Sequence, residues 1–141
     1  MTNSRYLAFT LGGILFSSSC LAALPALTVV VNGLEPATGT VEVSLFDSAD
    51  NWRKEPYLQQ KGPALEGGTF ETSFAALPEG VYAIIVVHDA NGNEKLDRGF
   101  LGLFGESYGF SGDADGWFFQ PSFDRAKFEF RDDKTIEIRL D

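Results

Sequence analysis

The sequence predicts an all-β fold: a small antiparallel β-sandwich of about seven strands, with one long Gly- and aromatic-rich loop. Three observations carry this expectation. Thr40–Phe46 (TVEVSLF) and residues 135–140 (TIEIRL) alternate apolar and polar residues with a period of two, the pattern of a strand with one buried face. Short β-rich runs recur along the chain with turn-forming residues between them, as in small sandwiches. No stretch sustains a 3.6-residue period, so no long amphipathic helix is expected.

The first segment reads as an address. Residues 1–22 place Arg5 ahead of an apolar run over 6–16, broken only by Thr10 and two glycines, and end in the small-residue stretch closing with Cys20-Leu21-Ala22. This is the layout of a secretory signal peptide cut after Ala22. The run is too short and too rich in Gly and Ser for a membrane-spanning helix. Residues 23–141 then form a single exported domain, periplasmic or extracellular. Cys20 raises a lipoprotein alternative, but Ser17-Ser18-Ser19 precedes it where a leucine-led triplet is needed. Removal of Cys20 with the leader is therefore favoured over its acylation. The mature chain then has no cysteine, which is compatible with an oxidising compartment.

The strands follow in order. Residues 27–31 (LTVVV) lead into Asn32-Gly33. Thr40–Phe46 sets Val41, Val43 and Leu45 on one face and Thr40, Glu42 and Ser44 on the other. Residues 49–61 have room for a helical turn, which Pro56 interrupts. Thr69–Phe74 (TFETSF) alternates less cleanly. Leu77-Pro78-Glu79-Gly80 is a turn feeding residues 81–87 (VYAIIVV). That continuous apolar run reads as a central strand covered on both faces. Tyr82 is either a tyrosine corner, its hydroxyl bonded to backbone across the turn, or simply an aromatic on a strand. Residues 89–124 have no regular period. A loop of that length is organised either by a ligand or ion, or by its own aromatics. Residues 127–130 (KFEF) and 135–140 are expected to form a hairpin around Asp132-Asp133-Lys134.

Charge narrows the function. The 141 residues include 20 acidic and 11 basic side chains, for a net charge of −9. That balance argues against nucleic acid and against anionic membrane surfaces as partners. One cysteine excludes an internal disulfide framework, and a single histidine excludes a poly-histidine metal site.

One constellation has a chemical rationale. Asp89, Asn91, Asn93 and Asp97 occupy positions 1, 3, 5 and 9 of a calcium-type loop, with the Lys95 carbonyl expected at position 7. Alternating short oxygen side chains on a tight loop can converge on one ion. Two positions depart from the EF-hand pattern: Glu94 stands where glycine is required, and Phe100 where the bidentate acid belongs. Glu106, Asp113 and Asp115 are candidates for the missing acid. A cation-free network of Asx turns accounts for the same residues. His88 closes the apolar strand. With Asp89 or Glu106 as orienting acid it gives an alternative catalytic reading, a small envelope hydrolase. No Gly-x-Ser-x-Gly accompanies it, and a structural histidine bonded to loop carbonyls is the plainer account. Trp117, Phe118 and Tyr108 are candidate ligand-binding aromatics, with loop-anchoring core as the competing role.

The ordered motifs Leu77-Pro78-x-Gly80-x-Tyr82-Ala83, His88-Asp89-x-Asn91-x-Asn93-x-x-Leu96-Asp97, Gly102, Glu106-x-Tyr108-Gly109-Phe110-Ser111 and Pro121-x-Phe123-x-x-Ala126-x-Phe128 resemble a family of secreted bacterial proteins, the domain of unknown function number 2141. The resemblance spans nearly the whole mature chain. That family usually has Gly where Glu94 stands. The resemblance implies an exported, transthyretin-like (prealbumin-like) β-sandwich, similar to modules appended to carboxypeptidases and surface proteins. It implies no established activity, substrate or catalytic residue, and fold analogy does not carry function. The expectation is an exported, monomeric, non-enzymatic binding or interaction module. Its partner is an envelope protein or glycan, its cofactor calcium, and no membrane span remains after leader cleavage.

Overall fold

The computed structural model describes residues 24–92, 107–112 and 121–140. The expected leader, with Cys20, lies outside these residues. Eight strands and one short helix run through the described chain: β1 (Leu27–Asn32), β2 (Thr40–Phe46), β3 (Leu58–Pro63), β4 (Thr69–Phe74), β5 (Gly80–Asp89), β6 (Ser107–Phe110), α1 (Phe123–Ala126), β7 (Phe128–Phe130) and β8 (Lys134–Arg139). They form two sheets. The smaller has the order β4-β1-β8; the larger has the order β3-β2-β5-β6, with β7 also pairing to β5. The fold is an all-β sandwich, as the alternation predicts.

The alternating residues are the core. Leu27, Val29 and Val31 from β1, with Val41, Val43 and Leu45 from β2, are fully buried between the sheets. Tyr82, Ile84 and Val86 of β5 meet them there with Phe70, Phe74, Phe130 and Ile138. The other face of β5 is covered too. Ala83, with Ile85 beside it, packs into a second cluster of Phe46, Trp52, Phe110, Phe123 and Ala126. Over Tyr82–Val86 both faces of the strand meet apolar side chains, so this stretch has no polar side to show; at the start of the run Val81 is 41% exposed.

Four expectations need correction. The sandwich is not wholly antiparallel, because β1 and β8 pair in parallel, with Leu27 opposite Lys134 and Val31 opposite Ile138. The last two strands do not form a hairpin. β7 pairs with β5 and β8 with β1, so residues 131–133 carry the chain from one sheet to the other. Asp133 fastens that crossing by accepting the Ala26 N–H at 2.8 Å, while the Lys134 N–H bonds Ala26 O at 3.2 Å. Third, residues 58–61 of the stretch expected to hold a helical turn belong to the edge strand β3, paired to β2. Its sequence LQQKGP is wet on both faces, so it carries no period; Lys61 and Pro63 suit an exposed sheet edge. A single turn does precede it, with Lys54 N and Glu55 N both bonded to Asn51 O, and it stops before Pro56. Fourth, residues 89–124 are not one loop, since β6 pairs with β5 within them.

The two sheets close on each other where the edge strands carry glycine. A Cβ on Gly62 would sit 2.4 Å from a Phe70 ring carbon, and one on Gly109 would sit 2.6 Å from both Ile138 Cγ2 and Leu140 Cδ2. Bare backbone at these two positions lets β3 reach β4 and β6 reach β8.

Tyr82 is a tyrosine corner. Its hydroxyl donates to Pro78 O at 2.9 Å, its ring is 5% exposed, and it meets Phe130 edge-on at 6.3 Å. Burial first, then the nearby Tyr57 and Asp47, pushes its phenol above the ordinary tyrosine range. Tyr82→Phe is expected to cost about 1 kcal/mol, the net worth of one hydrogen bond, read as a lower urea midpoint. The folded state holds this proton more tightly than the unfolded state does. Its stabilising effect is therefore complete below about pH 10, the unfolded value, and is lost as pH rises above it. Tyr82→Phe should remove that part of the alkaline loss of stability, so equal alkaline slopes for the two proteins would contradict the assignment.

Candidate functional site

The end of β5 delivers the candidate residues. β2 and β5 pair so that Val41 lies opposite His88 and Thr40 opposite Asp89. Successive strand residues point to opposite faces. His88 follows Ile84 and Val86 to the inner face, and Asp89 follows Ala83 and Ile85 to the outer one. The two side chains that the hydrolase reading would combine therefore start from opposite sides of the sheet.

His88 is 1% exposed. Its Nε2 donates to Thr38 O at 2.7 Å, so Nε2 carries a proton in this arrangement. The bond ties the end of β5 to the segment that enters β2. Gly39, next along that segment, has φ +82, and a Cβ there would fall 2.1 Å from Asp89 O and 2.7 Å from the Ala90 Cα. Backbone thus packs on backbone directly behind the candidate loop. The sequence marks neither Thr38 nor Gly39 with a motif. A glycine between two threonines just before a strand is the only signal it offers, and the partner lies about fifty residues away.

The turn after β5 is closed by a side chain. Asp89 Oδ1 accepts the Gly92 N–H at 2.7 Å, and Gly92 has φ +70. This is the arrangement expected of Asp and Gly at those positions. Asp89 is half-buried and Asn91 exposed. The other proposed ion donors, Asn93, Lys95 and Asp97, lie outside the described residues, as do Glu94, Phe100, Glu106, Asp113 and Asp115. Among the described residues, no group of three or more His, Cys, Asp or Glu side chains is placed to hold a metal ion.

Of the candidate aromatics, Trp117 and Phe118 lie outside the described residues. Tyr108 is on β6, 39% exposed, and meets Phe110 edge-on at 5.6 Å. Its position opposite Val87 puts it on the outer face of the larger sheet, next to the second apolar cluster.

Two residues that organise this region were not legible as such. Trp52 sits in the turn before β3 and is 6% exposed. Its Nε1 donates to Pro121 O at 2.9 Å, and its ring meets Phe46 at 5.1 Å, Phe123 at 5.9 Å and Phe110 at 6.2 Å. Ser111 follows β6 and is also buried. Its hydroxyl accepts the Ile84 N–H and donates to Ala126 O, both at 2.7 Å, while its own N–H bonds Ile84 O at 3.1 Å. One side chain thereby bridges the gap along β5 between the stretch paired with β6 and the stretch paired with β7. Ser111→Ala should strand one buried donor and one buried acceptor, at about 1–3 kcal/mol for each unsatisfied group. Denaturant unfolding checks this, and an unchanged midpoint would mean that the bridge is dispensable.

The comparisons with known proteins support the family resemblance. A family model described as an uncharacterized protein conserved in bacteria (DUF2141) matches residues 29–138. No curated protein and no solved structure matches the chain. The chain belongs to the DUF2141 family.

Proposed function

We propose that this family member is an exported, non-enzymatic binding or interaction module, whose loop over residues 89–97 holds a calcium-type cation. The observation that supports the ion is the way β5 hands over to the loop. Asp89 leaves a rigid strand, backed by Gly39 and the His88–Thr38 bond, and its carboxylate shapes the first turn through Gly92. Calcium favours sites in which several oxygens are brought together at little ordering cost. A strand end stiffened from behind supplies that for the first donor, and Asn91 follows two residues later. The buried imidazole, engaged with a backbone carbonyl, favours a structural role for His88 over general-base chemistry with Asp89 or Glu106. The partner in this reading is an envelope protein or a glycan, met by the domain as a monomer in the periplasm or outside the cell.

The test is thermal unfolding of the exported protein in EDTA and then in millimolar calcium, alongside Asp89→Ala. At one hundred times Kd, binding adds about 2.7 kcal/mol, which for a domain of this size raises Tm on the order of 10 °C. That rise is expected in the native sequence and absent in Asp89→Ala. A Tm indifferent to calcium overturns the ion. A rise of equal size in both proteins places the ion elsewhere in the chain.

A further inference from the structure

We draw no further inference here: the strongest candidate, the apolar patch of Val87 and Tyr108 on the outer face of the larger sheet beside the Trp52 cluster, is an unpartnered face, and nothing among the described residues shows what covers it.

Discussion

Gly39→Ala is expected to lower the unfolding free energy by about 3 kcal/mol or more. Two costs add. A left-handed backbone costs a non-glycine residue roughly 1–2 kcal/mol. The new Cβ would also fall 2.1 Å from Asp89 O and 2.7 Å from the Ala90 Cα. Both are main-chain atoms, so no side-chain rotation relieves the overlap, and overpacking of this kind costs about 1–3 kcal/mol. Gly92→Ala is the internal control. Its φ is +70, but nothing lies within 4 Å of the added Cβ, so it should lose only the conformational part. Urea midpoints of the two variants separate the terms. If they fall together, the contact between the segment entering β2 and the end of β5 is not a constraint on the fold. If Gly39→Ala is the worse, any calcium-dependent rise in Tm should also shrink in it, because the strand end that launches the loop has moved.

Trp52→Ala is expected to cost about 3–5 kcal/mol, the range for removing a buried large aromatic. The residue is the hub of the second cluster, with Phe46, Phe110 and Phe123 all within 6.2 Å of its ring. Its loss opens the outer face of β5 and strips Pro121 O of its donor. Trp52→Phe separates these effects. It retains most of the apolar contact and gives up the Nε1 bond, so its cost should be about 1–3 kcal/mol, that of the unsatisfied carbonyl. Denaturant unfolding followed by circular dichroism reads both. A Trp52→Ala protein as stable as the native one would mean that the turn before β3 is only laid over the sheet.

These variants mark where reading residues in order stops being enough. The alternation in β2 predicts which residues are buried because a strand with one wet face needs only its own two sides to show the pattern. Val41, Val43 and Leu45 could therefore be assigned to the core without knowing their neighbours. The apolar run in β5 likewise announces cover on both faces, and Leu77-Pro78 ahead of Tyr82 raises the tyrosine corner, because its acceptor is four residues away. The opening turn after β5 is equally visible, since the Asp89 side chain closes it within three residues.

What the sequence by itself determined is thus whatever is decided within a few residues: the all-β class, the inner faces of the strands, the corner and the opening turn of the loop. Tertiary structure alone decided partners. A period of two is the same in parallel and antiparallel pairs, so the parallel β1–β8 ladder left no trace, nor did the crossing at residues 131–133 that breaks the expected hairpin. β3 carried no pattern because an edge strand wet on both faces has nothing to alternate. Trp52 with Pro121, Ser111 with Ile84, and Gly39 with Asp89 are set by close approaches between distant segments. Each depends on where another stretch of backbone lies, and no local preference of the chain encodes that distance.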